Sequence, residues 1–251
     1  MNRTILGLTV AIGLMGTAHA ATTGDVSAEQ RQAFESIIRD YLVTHPEVIR
    51  EALQELERRQ AVEAQTATKK KIAERAKEIY RASGDLVLGN PKGKITVVEF
   101  FDYNCGYCKK AIPEVEKLIQ SDKDVRVVIK EFPILGPGSV FAAKAALASR
   151  SQGKYDEFHL ALTKLDGVKD ETSVMQVAEQ VGLDLEKLKT DMESDGVSEV
   201  IGRNYSLAES LAINGTPSFI IDEALEPGYV TYDVLAGHVS TVRQNGGCRV
   251  C

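Results

Sequence analysis

Cys105-Gly106-Tyr107-Cys108 places two thiols three positions apart, straight after the apolar run Ile95-Thr96-Val97-Val98-Glu99-Phe100-Phe101. Three chemistries suit such a pair: a metal clamp, a structural staple or a working redox couple. Stapling is the weakest, because a disulfide closing so short a loop removes little entropy from the unfolded chain. The residues after Cys105 read as a helix, so Cys105 is expected at a helix N-terminus. Unpaired backbone N–H groups and a partial positive charge gather there, and both stabilise a thiolate. The thiolate is the nucleophile of disulfide exchange. Cys105 is therefore expected to be the exposed attacker and Cys108 the shielded resolving thiol.

A second pair, Cys248-Arg249-Val250-Cys251, follows Asn245-Gly246-Gly247 in a tail that reads as mobile. Three roles stay open for it: a local disulfide, an auxiliary redox pair exchanging electrons with Cys105 and Cys108, or soft-metal binding. Two C-x-x-C pairs suggest a four-thiolate zinc site, and Cu(I) suits either pair. However, Cys108 and Cys248 lie 140 positions apart, much farther than in ordinary zinc ribbons. No resident metal is expected. The histidines give no hydrolytic constellation: His159 and His238 sit singly on helical segments, and His45 precedes Pro46 at a turn. No phosphate-binding glycine loop or nucleotide fingerprint is present.

The 251 residues carry a formal charge of −6 and 43% hydrophobic residues. That balance argues for a globular protein with no broad attraction to nucleic acid. Residues 1–20 read as a secretory signal peptide: Asn2-Arg3, an apolar stretch from Ile5 to Gly16, then Ala18-His19-Ala20. Export puts all four cysteines in a compartment where they can pair.

The thiols need a frame to position them. Ile95–Phe101 reads as a buried strand, Gly106–Gln120 as a helix with a kink at Pro113, and Val125–Lys130 as a second strand, giving a parallel β-α-β crossover. Helices are expected over Val140–Ser151, Lys154–Leu165, Glu171–Val181, Leu185–Glu193 and Val197–Leu211, separated by glycines. Ser218–Ile221 reads as a short strand after Gly215-Thr216-Pro217, and Thr231–Gln244 as a closing helix. Upstream, Ser27 caps a helix with Phe34, Ile37, Ile38, Tyr41 and Leu42 at helical spacing. A second helix is expected from Pro46 to about Ser83, roughly 55 Å long at ~1.5 Å per residue. Its weak stripe of Val48, Ile49, Leu53 and Leu56 needs a partner, so residues 21–85 read as a helical stalk that oligomerises.

The chain resembles the thioredoxin superfamily, and more narrowly the exported DsbA/Com1-like thiol–disulfide oxidoreductases. The resemblance rests on Val98-Glu99-Phe100-Phe101-Asp102-Tyr103-Asn104-Cys105-Gly106-Tyr107-Cys108, Phe132-Pro133-Ile134-Leu135-Gly136 and Gly215-Thr216-Pro217-Ser218-Phe219. The stalk is similar to the N-terminal region of the copper-sensitivity-suppressor C (ScsC-like) branch. The resemblance implies an α/β thioredoxin fold over residues 86–245, with a helical insertion at about 136–212. The stalk precedes it, and the cysteine tail at 246–251 follows. It implies that Cys105 is the nucleophile, that Cys108 resolves, and that Thr216-Pro217 form a cis-proline loop that binds extended substrate beside Gly106 and Tyr107. It also implies that Glu99 is a buried acid able to move protons at Cys108. No cofactor is implied beyond a redox-active Cys105–Cys108 disulfide.

Gly106-Tyr107 departs from the Pro-His dipeptide of strongly oxidising DsbA and resembles that of the isomerase DsbC. Without the histidine, a less stabilised thiolate and a less oxidising pair are expected. The resemblance thus implies a periplasmic disulfide isomerase or reductase acting on misoxidised exported proteins, with a part in copper tolerance. The alternatives are a DsbA-like dithiol oxidase or a thiolate copper- or zinc-binding protein. A membrane thiol reductase of the DsbD or ScsB type is the implied electron donor.

Overall fold

A computed structural model describes residues 26–251. The signal peptide and its cleavage pattern lie outside those residues. The chain divides into two compact units, with the boundary between Arg59 and Gln60.

The first unit is helical. α1 (Ala28–Thr44) starts at a capping box in which Ser27 and Gln30 exchange side-chain-to-backbone hydrogen bonds. His45 and Pro46 separate it from α2 (Glu47–Glu74). No residue of α1 is buried, and its apolar stripe of Phe34, Ile37, Ile38 and Tyr41 is more than half exposed. Ile49, Leu53 and Leu56 on α2 are similarly exposed.

The second unit begins within α2. The expected single helix to Ser83 is interrupted at Arg75, and a short α3 (Ala76–Tyr80) follows. Ile72, Ile79 and Tyr80 are wholly buried in the core of the second unit. This part of the expected stalk therefore packs as body, because its three large apolar residues have a sheet face to cover.

The sheet has five strands in the order β1-β3-β2-β4-β5. These are β1 (Leu86–Gly89), β2 (Ile95–Phe101), β3 (Val125–Glu131), β4 (Ser218–Ile221) and β5 (Ala224–Pro227). β2 and β3 are parallel, joined by α4 (Gly106–Ser121), which runs on through Pro113. The other neighbours are antiparallel. Every residue of β2 is buried, which accounts for its nearly continuous apolar character. Ile95, Val97 and Phe101 pack in one core with α4 and α10 (Tyr232–Gln244). Val98 and Phe100 pack in the other with Ile72, Ile79, Tyr80 and Leu207. Burying one side chain such as Phe100 contributes about 1.5–3 kcal/mol.

Five helices separate β3 from β4: α5 (Pro137–Ser149), α6 (Tyr155–Lys164), α7 (Glu171–Gln180), α8 (Leu185–Met192) and α9 (Asp195–Ser210). All lie within a residue or three of the expected limits. Strands β1 and β5 are additions to the expected set. β1 is anchored by Lys130, whose Nζ bonds Asp85 Oδ2 at 2.5 Å with both side chains buried. Arg203 reaches Asp85 from α9 at 3.2 Å.

Candidate active site

β2 ends at Phe101, and four residues later Cys105 caps α4. The turn between them is fixed by Asp102. Its Oδ1 accepts from the Asn104 N–H at 2.8 Å, and its Oδ2 from the N–H groups of Ile134 and Leu135 at 2.8 and 2.9 Å. Asn104 then ties the turn to the helical insertion. Its amide accepts from the Lys169 N–H at 2.6 Å and donates to the Lys169 carbonyl at 3.0 Å.

Cys105 and Cys108 are free thiols. The Cys108 backbone N–H donates to Cys105 Sγ at 3.4 Å. Cys105 Sγ lies 3.1 Å from the carbonyl oxygen of Thr216, which precedes the cis peptide to Pro217. The site residues read from the sequence, Cys105, Cys108, Thr216 and Pro217, therefore converge. Two differences emerge. Cys105 is only 7% exposed, less open than expected, because the Thr216–Pro217 loop sits against its sulfur. Tyr107 instead stands out at 64% exposure, and a Cβ at Gly106 would meet nothing within 4 Å.

The Cys105 thiol is pushed down to about 5. The hydrogen bond from the Cys108 thiol is the largest cause, and the backbone N–H groups of Cys108 and Tyr107 add to it, against the cost of burial. Strong thiolate stabilisation therefore arises here without an imidazole. Cys108 is pushed far up by burial, then by its bond to Cys105 and the charge of Glu99. The lysines after the motif are committed elsewhere: Lys109 pairs with Asp166, and Lys110 lies 4.5 Å over the Tyr229 ring.

Glu99 lies on the β2 face shared by Val97 and Phe101, against which Cys108 and α4 pack. It is buried, and its Oε1 has no hydrogen-bond partner. Burial first, and the Cys105 charge second, raise it to about 8. A protonated carboxyl beside a buried thiol can exchange a proton with it as charge moves between the sulfurs.

A second buried acid was not anticipated. Glu131 ends β3 on the same sheet face and accepts from Tyr103 and Tyr155 hydroxyls at 3.0 and 2.9 Å. Tyr103 also bonds His159 Nδ1 at 2.8 Å. Burial raises Glu131 to about 8 and lowers His159 to about 4, so His159 is a neutral histidine packed in the core. The available signal was a charged residue at the end of β3 on the face it shares with Val125, Val127 and Ile129.

Cys248 and Cys251 form a disulfide. Rather than a loose tail, the segment is docked: the Arg249 N–H donates to Asp222 Oδ1 at 2.8 Å, and Arg81 Nη2 to the Cys251 carbonyl at 2.9 Å. Thr216 and Asp222 flank opposite ends of β4, whose four residues span about 13 Å at ~3.3 Å each. Direct exchange between the two cysteine pairs of one chain is therefore not available.

Residues 96–240 match the DsbA-like thioredoxin domain, and residues 30–63 match the N-terminal domain of copper resistance protein ScsC. The chain belongs to the DsbA-like thioredoxin-domain family. The ScsC match falls on α1 and the first part of α2. A thioredoxin-like oxidoreductase from Silicibacter pomeroyi DSS-3 is similar at 49% identity, covering 67% of this chain and 97% of that one, with TM-score 0.66. ScsC of Proteus mirabilis in a transitional conformation is 28% identical, covering 86% of this chain and 95% of that one, with TM-score 0.62. A periplasmic thioredoxin-like protein from Salmonella enterica serovar Typhimurium is 30% identical, covering 68% and 95%, with TM-score 0.59. The first curated relatives are Na(+)/H(+) antiporter NhaA proteins of Salinispora, 28–29% identical, and the chain spans 24% of their length. Among the described residues no helix is long and apolar enough to cross a membrane.

Proposed function

We propose that this DsbA-like protein is a periplasmic disulfide isomerase and reductase of misoxidised exported proteins. The observation that carries this reading is the Cys105–Cys108 couple: one thiol is held down near 5, the other is buried and held up, and an unpartnered acid lies on the same core face. The Cys105 thiolate attacks a substrate disulfide. One substrate sulfur leaves as thiolate, and the other stays bonded to Cys105. Extended substrate lies along Thr216 and Pro217, beside Gly106 and Tyr107.

Two exits follow. A second substrate thiolate can attack the substrate sulfur of the mixed disulfide. That forms a new substrate disulfide and frees the Cys105 thiolate, with no net redox change. Alternatively Cys108 loses its proton to Glu99 and attacks Cys105. The Cys105–Cys108 disulfide forms, the substrate sulfur leaves as thiolate, and two electrons have passed from this protein to the client. Loss of the Cys105 charge in the mixed disulfide removes one cause of the high Glu99 value, so a larger share of Glu99 is ionised and free to take the Cys108 proton at the step that needs it.

A Cys105 value of about 5 lies between the ~7 of thioredoxin and the ~3.5 of DsbA. A thiolate stabilised to that degree supports a potential between those of thioredoxin and DsbA. The exposed stripe of Phe34, Ile37, Ile38 and Tyr41 supports assembly through the ScsC-like helices, which would gather several redox sites around one client. A membrane thiol reductase of the DsbD or ScsB type would return electrons.

The test is reactivation of a scrambled-disulfide protein by the full chain and by an Ile38→Glu variant, with mass measured by sedimentation. The expected result is strong isomerisation by the assembled protein, and loss of it in parallel with loss of mass. Fast oxidation of a dithiol peptide with no isomerisation in either would assign a DsbA-like oxidase instead.

A further inference from the structure

The C-terminal pair has a third partner. Asp222 closes β4 in the left-handed region, at φ 52°, and is 8% exposed. Its carboxylate and the sulfurs of Cys248 and Cys251 all lie within 4.8 Å of one another. The group is built rather than fortuitous. The buried Tyr80 hydroxyl donates to the Asp222 carbonyl, and the Arg249 N–H holds Oδ1 at 2.8 Å. Cys248 packs against one core and Val250 and Cys251 against the other, so the segment has little freedom to move away.

We infer that the reduced Cys248–Cys251 pair and Asp222 form a three-ligand Zn²⁺ site, alternating with the disulfide. Reduction needs two electrons and two protons from a dithiol of the thioredoxin type, which becomes a disulfide as Cys248 and Cys251 become thiols. Such a dithiol belongs to another molecule, because the chain's own Cys105 pair lies at the far end of β4. Zn²⁺ then displaces the two thiol protons. Two thiolates with one carboxylate are a borderline donor set, which suits Zn²⁺ better than the purely soft Cu(I). The Cys251 N–H donates to Cys248 Sγ at 3.0 Å, which fixes that sulfur in place. The Cα atoms of the pair lie 5.6 Å apart, close enough for both sulfurs to meet one ion. Three protein ligands leave a fourth position open.

The experiment uses the full chain carrying Cys105→Ser and Cys108→Ser, so that only the C-terminal pair can respond. It is reduced with a phosphine, freed of reductant and titrated with Zn²⁺ against a chromogenic chelator, with Co²⁺ as a spectroscopic probe. The expected result is one Zn²⁺ per chain after reduction and none before, with thiolate-to-cobalt charge-transfer absorption. Asp222→Asn should weaken binding at least about tenfold, and Cys248→Ser should abolish it. Circular dichroism checks that each variant is folded. If Asp222→Asn is not, alkylating the reduced pair in the otherwise unchanged chain replaces it, and loss of zinc is again the expected result. No stoichiometric Zn²⁺ uptake after reduction overturns the inference. So does unchanged affinity in Asp222→Asn or in the alkylated chain, or uptake of Cu(I) alone.

Discussion

Removing the Cys108 side chain isolates the largest influence on the Cys105 thiolate. In Cys108→Ala the sulfur-to-sulfur hydrogen bond is gone, while the N–H groups of Tyr107 and Cys108 remain. A hydrogen bond to a charged group contributes about 1.5–3 kcal/mol, and one pKa unit corresponds to about 1.36 kcal/mol. The loss therefore amounts to about one to two units. A thiol is a weak donor, which sets the expectation near one unit. Cys105 should move from about 5 to about 6. The assay is thiolate absorbance in the ultraviolet against pH, with the iodoacetamide rate as a second readout. Cys108→Ser, which restores a hydroxyl donor, should fall between the two. The sign extends to stability. A thiol depressed in the folded state stabilises the reduced protein fully above its unfolded value, about 8.5, and that stabilisation fades as pH falls through about 5. A Cys108→Ala midpoint still at about 5 would refute the assignment and leave the helix N-terminus as the whole cause.

Three further outcomes are expected. Tyr107→His brings an imidazolium to the exposed end of α4, so Cys105 should fall by about one unit and the couple become more oxidising by about 30 mV, measured against glutathione. Glu99 and Glu131 are both raised to about 8 from the ordinary carboxylate value, so their contribution to stability is complete at acid pH, declines above about 4.5 and is lost past about 8; urea midpoints across that window should decline, and less steeply in Glu131→Gln. A Cβ at Gly138 would lie 2.3 Å from the Lys169 carbonyl, so Gly138→Ala should cost about 1–3 kcal/mol, seen as a lower Tm.

Much of the frame was legible because β2 and β3 are rich in valine, isoleucine and phenylalanine and buried throughout, and because glycines separate the helices. Strands β1 and β5 were not. Each is four residues long, and Ala224-Leu225-Glu226-Pro227 is poor in strand formers; it pairs because β4 offers an open edge. The end of α2 was missed because a helical pattern carries no mark of the sheet face that Ile79 and Tyr80 will meet. At the site, the cysteines and Pro217 were legible from local motifs. Glu131 was not, since its partners Tyr103 and Tyr155 come from separate segments and meet only after folding. The partial cover over Cys105 depends on a loop more than a hundred residues away.

Asn104 grips the segment at 165–170 through the backbone of Lys169 alone, using no side chain there. The side chains of Asp166 and Val168 face outward on that same segment, 97% and 76% exposed. Holding and display are thus assigned to different atoms. Substitution of Val168 can repaint the rim near Cys105 while the carbonyl and N–H that steady Asn104 stay in place. The surface beside Cys105 can thereby change without moving the turn that positions its sulfur.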